Sequence, residues 1–327
     1  MLENINIIDY KCFKDFKLEG LKRVNIISGK NNVGKTALLE ALFIENGSGN
    51  NSLSVIAKNR DIKEKYYQNF ITQIKYSVIA DNNKYKFEVK HKKNLSANEI
   101  EEKNKLNSDY ENFLCLNYNG ELELEPLVQI HMKEDGDFKY INSSKPLNEK
   151  LVKLYSKVQT LGLQHKFLNY LQLLDENIKW LEPQLVNEEL VLRVNLANPE
   201  ISLITSELGE GVNRYIEILS SMLSIETQDN KWGKSIFIDE IENGIHYSKL
   251  LDIAKAIIEI AQKEDIQVFI TTHDKETIEA FAKASEELSF KDISSIELYK
   301  DDENIIHPIV MDYDNIIDGI EMGEDFR

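Results

Sequence analysis

The chain has 327 residues, 42% hydrophobic and 29% charged, a balance that supplies a buried core and excludes a wholly disordered chain, a collagen or a coiled-coil rod. No run of about 18 apolar residues occurs, so no membrane span is expected; Met1–Phe16 lacks a basic-then-apolar secretion pattern, and Cys12 and Cys115 alone make neither a disulfide scaffold nor a zinc site, so reducing cytoplasm is the expected compartment. The formal charge is −17 and all of it sits in residues 201–327, with 28 acidic and 11 basic residues; that part repels phosphate backbones, and a basic groove stays open only within residues 1–200.

Apolar alternation over 2–9 and 16–20 predicts a hairpin around Tyr10–Phe13, and Val24–Ser28 reads as a buried strand ending at Gly29. Lys35–Glu45 is apolar almost all round, which predicts a buried helix, closed by turn residues over Asn46–Asn51. Residues 71–92 read as two strands about an Asp-Asn-Asn turn, and 97–112 as a polar loop or an exposed helix. Residues 113–142 give short strands with turns at Asn119-Gly120 and Asp135-Gly136, and 147–177 suits one or two amphipathic helices. From 200 onward helices and strands alternate. Helices are expected over Val212–Leu223, Ser248–Gln262 and Lys275–Ser285, and strands over Ser235–Asp239, Gln267–Thr271 and near 294–299 and 305–311. That rhythm implies a mostly parallel sheet covered on both faces. The acidic last stretch is a short helix or a frayed tail.

Four motifs carry chemistry. Gly29-Lys30-Asn31-Asn32-Val33-Gly34-Lys35-Thr36 matches G-x-x-x-x-G-K-[ST] between a predicted strand and a predicted helix. Its amides suit phosphate oxygens, Lys35 the β/γ-phosphates and Thr36 a Mg²⁺ ion. The apolar strand ending in Asp239-Glu240 brings two carboxylates to the sheet edge where ligands bind in open α/β folds. Asp239 is then the metal-side acid and Glu240 the base for an attacking water. Val268–Asp274 ends a second strand at the same edge and offers His273 to a γ-phosphate or to that water. Ser206–Arg214, with Gly209, Glu210 and Gly211, opens a helix and offers a second phosphate-binding terminus.

Taken in order, these residues resemble the ATPases of the ABC superfamily, in the branch with the structural-maintenance, Rad-fifty-like and RecF-like proteins. More narrowly, they resemble the ATPase part of the OLD (overcoming lysogenisation defect) family and its stand-alone relatives in bacterial defence operons. The likeness is carried by residues 5–42, by Leu208–Arg214 in the place of the signature loop, by Phe237–Leu250 and by Ile270–Asp274. It implies an α/β P-loop head of ABC type. Residues 1–45 and 201–327 would form nucleotide-binding lobe I, and 46–200 an inserted α+β lobe II. It also implies ATP and Mg²⁺ as ligands and a head-to-tail homodimer. In that dimer Lys35, Thr36, Asp239, Glu240 and His273 act in cis and Gly209, Glu210 and Gly211 in trans, with Glu242–His246 along the seam. The sequence departs from the family at three points. Gly209 stands where a phosphate-touching serine is common, with Ser206 nearby; the glutamine loop has three candidates, Gln68, Gln73 and Gln129; and no Toprim nuclease is expected after the last strands.

Two functions follow from this reading. The first is a slowly hydrolysing ATPase switch that governs a separately encoded nuclease or toxin, in anti-phage defence. The second is a DNA-engaging repair ATPase, which needs a groove drawn from Lys11, Lys14, Lys17, Lys22, Arg23, Lys84, Lys86, Lys90, Lys92 and Lys93. For the adenine, Phe13 and Lys14 are the candidates to stack on or cover the base.

Overall fold

The computed structural model describes residues 1–46, 49–60, 62, 70, 74–81, 83–105, 112–126, 138–225 and 233–323. The N-terminal hairpin pairs β1 (Asn4–Tyr10) with β2 (Phe13–Glu19) about a two-residue turn, Lys11-Cys12. Then come β3 (Val24–Gly29), α1 (Lys35–Asn46) and α2 (Gly49–Asn59). A meander follows: β4 (Lys75–Ala80), β5 (Asn83–His91), α3 (Ala97–Lys105), β6 (Asn112–Tyr118) and β7 (Glu121–Pro126). The β6–β7 turn is Asn119-Gly120, both at positive φ (49° and 95°), the primed geometry whose twist matches the flanking strands. The Asp135-Gly136 turn lies outside the described residues.

Next are β8 (Phe138–Ile141), α4 (Asn148–Thr160), α5 (Gln164–Leu174), β9 (Ile178–Val186), β10 (Glu189–Leu196) and β11 (Ser202–Ile204). The α/β region holds α6 (Glu210–Leu223), β12 (Lys234–Ile238), α7 (Leu250–Lys263), β13 (Ile266–Thr271) and α8 (Lys275–Glu287). It ends with β14 (Ile293–Lys300), β15 (Ile306–Asp312) and α9 (Tyr313–Met322). No helix among the described residues is long and apolar enough to cross a membrane.

Among the described residues the strands form three sheets: β2-β1-β4-β5-β6-β7, β11-β10-β9 and β15-β14-β3-β13-β12-β8. The last is the mixed, mostly parallel sheet expected: β14, β3, β13, β12 and β8 run parallel and β15 closes the edge antiparallel. β3 and β13 are buried at every residue, as strands covered on both faces must be. Val24, Ile26 and Ile270 point to one core with α4–α8. Ile27, Phe237 and Phe269 point to the other, with α1 and the hairpin. There Phe237 and Phe269 stack at 5.0 Å, and Phe43 of α1 meets Phe237 edge-on at 5.3 Å.

Strand membership crosses the expected division of the chain in two places: β8, from within 46–200, runs parallel to β12, and β4, also from within 46–200, pairs with β1. The hairpin at the start and the meander of 75–126 share one antiparallel sheet. Two elements were not expected. Gly49–Asn59 is helical, where a turn was expected as far as Asn51, because Leu53, Ile56 and Ala57 form a buried stripe at helical spacing. Ile178–Ile204, a stretch where no element was expected, makes a small sheet; Pro183 sits on β9, an outer strand, where proline is tolerated.

Candidate functional site

The loop after β3 leaves the middle of the parallel sheet. Gly29 and Gly34 have φ of 129° and 116°, conformations that L side chains rarely adopt. A Cβ at Gly29 would stand 2.4 Å from Leu298 O, and one at Gly34 3.1 Å from Cys12 Sγ. Asn32 takes the left-handed region at φ 61°. Lys35 Nζ donates to Gly29 O (2.6 Å) and Lys30 O (3.2 Å), across the loop. Burial pulls the Lys35 ammonium below its ordinary pKa, while Glu240, Glu242 and Asp239 act in the opposite sense.

Pairing of Ile238 with Ile270 carries Asp239 and Thr271 to the same level at the end of the sheet. Thr271 Oγ1 donates to Asp239 Oδ1 at 2.6 Å and accepts Glu240 N at 2.8 Å. Thr36 Oγ1 lies 3.2 and 3.3 Å from the two Asp239 oxygens. Burial pushes the Asp239 carboxyl up, against the hydrogen bond from Thr271. Glu240 sits at φ 49°, a strained position for a residue with a side chain. Its Oε2 accepts from Asn243 Nδ2 at 2.9 Å, and Asn243 Nδ2 also reaches Ser143 O at 3.2 Å. His273 follows on β13, and Glu242 Oε1 accepts from its backbone N at 2.9 Å and lies 2.6 Å from its Nδ1.

The loop of Gly209, Glu210 and Gly211 packs on the segment after Asp239-Glu240. A Cβ on Gly211 would stand 2.3 Å from Gly244 O, and one on Gly244 2.9 Å from Glu210 Cγ. Four residues into the same helix, Arg214 is 2% exposed. Its Nη2 donates to Asp239 O at 2.6 Å and its Nη1 to Asn142 O. It also faces Glu217 at 3.5 Å, which Lys150 pairs at 2.7 Å.

Residues 24–279 match the family model described as "AAA domain, putative AbiEii toxin, Type IV TA system". The chain belongs to this family. It is 25% identical over 359 residues to an ATP/GTP phosphatase of Helicobacter pylori, covering 94% of this chain and 95% of the relative. Among solved structures it is similar to an SMC head bound to the C-terminal winged-helix domain of ScpA, with TM-score 0.54, 12% identity and coverage of 95% of this chain and 98% of that one. It is also similar to an SMC head with an extended coiled coil, bound to the C-terminal domain of ScpA derived from Pyrococcus furiosus, with TM-score 0.50, 11% identity and coverage of 98% of each chain. At such identities the likeness is one of fold: an α/β P-loop ATPase head of the SMC and ABC type.

Within this AAA-family head, Lys35, Thr36, Asp239, Glu240 and His273 follow three neighbouring strands, β3, β12 and β13; Thr36 meets Asp239 side chain to side chain, while Lys35 bonds loop carbonyls, Glu240 bonds Asn243 and His273 bonds Glu242. Gly211 meets the Glu240–His246 segment of its own chain rather than standing apart from it. Phe13 does not offer a stacking face: it is 1% exposed and packs on Phe16, ring centroids 4.6 Å apart. Lys14 is exposed and pairs with Asp9. Gln68, Gln73 and Gln129 lie outside the described residues. Of the candidate DNA-facing bases, Lys11 pairs with Glu40, Arg23 with Asp265 and Asp292, and Lys90 with Glu99. The Lys11 and Lys90 pairs turn charge onto buried carboxylates, whereas Arg23 pairs at the surface.

Sequence reasoning gave no role to Arg214 or Thr271, and set Glu242 and Asn243 only on the seam. Arg214 had a signal: with Glu217 it places a charged pair on a helix otherwise lined by Tyr215, Ile218 and Leu219. Thr271 had a weaker one, a hydroxyl at the last residue of a buried strand.

Proposed function

We propose that this chain is a Mg²⁺-dependent ATPase that works as a homodimeric switch. The observation that carries this reading is the convergence of Thr36 and Thr271 on Asp239 beside the Gly29–Gly34 loop, with Glu240 held next to them. Loop amides and Lys35 would bind the β/γ-phosphates. The hydroxyl of Thr36 and the carboxylate of Asp239 are hard oxygen donors close enough to share one cation, a donor set that fits Mg²⁺. When bound, the ion neutralises charge on the phosphate oxygens. Glu240, tethered by Asn243 and braced through Thr271, is the group that would orient and deprotonate the attacking water, and His273 would meet that water at the terminal phosphate. Gly209, Glu210 and Gly211 of a second copy would close over the nucleotide in a head-to-tail dimer.

Lys35→Ala should abolish ATP binding. Glu240→Gln should keep it, lower phosphate release by roughly 100-fold or more, and accumulate a dimer on gel filtration with ATP. A Glu240→Gln protein that hydrolyses ATP at the wild-type rate rejects Glu240 as the base.

The finer reading is an OLD-like ATPase of an anti-phage or toxin module, acting in the cytoplasm on an effector encoded nearby. Its support is the acidic surplus of residues 201–327, which suits docking of a basic protein. Pulldown of neighbouring gene products with and without ATP tests it; capture in neither state ends it.

A further inference from the structure

Glu242 is 7% exposed, and a buried carboxylate is costly unless its bonds compensate. Oε1 takes two bonds from one residue, the backbone N–H of His273 at 2.9 Å and the imidazole Nδ1 at 2.6 Å, with the Thr272 side chain and the Glu242 backbone also favouring the ionised carboxylate. A single oxygen therefore holds the main chain and the ring of the same histidine, which leaves the ring little freedom to turn. An ionised carboxylate only accepts, so Nδ1 carries the proton and Nε2 is the nitrogen left over. The His273 side chain is 45% exposed, and the carboxylate nearest its Nε2 is that of Asp274 at 3.6 Å. Glu242 lies two residues beyond Glu240 on the same turn, so the base and the anchor of the histidine share one short segment.

We propose that Glu242 is a positioning residue for nucleotide hydrolysis: its buried Oε1 anchors the backbone and Nδ1 of His273, so that Nε2, the lone-pair nitrogen of the neutral ring, is presented to accept a hydrogen bond from the water that attacks the terminal phosphate. This rests on the ATPase reading above and deepens it, since it names how the histidine is tautomerised and aimed.

The test is a double-mutant cycle on the full chain. Glu242→Ala should lower kcat by roughly 10–100-fold, with KM for ATP within about twofold, as loss of an orienting partner does. In a His273→Ala background the same substitution should lower kcat by no more than about twofold further, because its effect passes through the ring. Imidazole ¹⁵N spectra, with the His273 signal identified by its loss in His273→Ala, should show the neutral ring protonated on Nδ1 in wild type and on Nε2 in Glu242→Ala. If Glu242→Ala fails to fold, Glu242→Gln keeps the shape and one acceptor oxygen and should show a smaller kcat loss that likewise vanishes in the His273→Ala background.

Additive losses, wild-type kcat in the substituted protein, or a wild-type ring protonated on Nε2 would each overturn the proposal while leaving the ATPase intact. A wild-type protein that hydrolyses no ATP would instead overturn the ATPase reading, and this one with it.

Discussion

Gly211 has an ordinary helical backbone but no room for a side chain, since a Cβ would stand 2.3 Å from the Gly244 carbonyl oxygen. The obstacle is backbone and cannot rotate away. Gly211→Ala is therefore expected to push the loop at 206–211 away from the segment after Glu240, destabilising the fold by about 1–3 kcal/mol and slowing ATP turnover. Gly209, two residues earlier, has nothing within 4 Å of a Cβ. Gly209→Ala should lose only about 0.5–1 kcal/mol, from the poorer helix N-cap. Thermal unfolding with turnover rates compares the two, and equal losses would refute the close-packing argument. Arg214 acts in the same place by charge: it ties this helix to the carbonyl of Asp239, so the segment proposed to serve a second copy's nucleotide is bonded to the acid proposed to serve its own.

Helix α3 shows how one carboxylate can secure an element. Glu99 accepts from Ser96 N at 2.6 Å and pairs with Lys90 on β5 at 2.8 Å, so a Ser-x-x-Glu start also pins the helix to the meander. Burial pushes the Glu99 carboxyl up, but the Lys90 and Ser96 bonds outweigh it and hold it below the ordinary carboxylate range. The folded pKa lies below the unfolded one. The stabilisation is therefore complete above the unfolded value, near 4.5, and is lost as pH falls through the folded value. Glu99→Ala should cost about 1 kcal/mol at neutral pH, and its melting temperature should converge on the wild-type value in acid. A gap that persists in acid would assign the effect to packing instead.

Across the whole molecule, the antiparallel sheet is held to the parallel one by Gln267 at the start of β13. Its Oε1 accepts Leu2 N at 2.9 Å, and its Nε2 donates to Leu2 O at 2.7 Å and Lys22 O at 3.0 Å. Asn25 on β3 makes a like set of bonds within the parallel sheet and to the loop before it, with Lys22, Val268 and Ser294. Both amides are buried and compensated, so removing one strands backbone groups that have no water to turn to. Gln267→Leu is expected to lower stability by at least ~2 kcal/mol despite its gain in hydrophobicity, read from urea unfolding. A neutral result would show that the N-terminal strand is held by packing alone.

The strand–loop–helix at Val24–Asn46 and the strand ends at Asp239 and His273 were legible in the chain, because short-range chemistry writes them: β-branched runs, glycines where φ is positive, polar residues at a buried strand's end. The same local signals misled at the start of Gly49–Asn59, where glycine and asparagine masked a helix with a buried stripe, and the strands of 178–204 went unassigned. What only the tertiary structure decided is which distant groups meet. Glu242 gripping His273, Arg214 reaching Asp239 and Gly211 seated on Gly244 each join side chains or backbones whose partners are chosen by strand order and helix packing. No periodicity within a segment records that choice, because the energy that selects it comes from burying several elements at once.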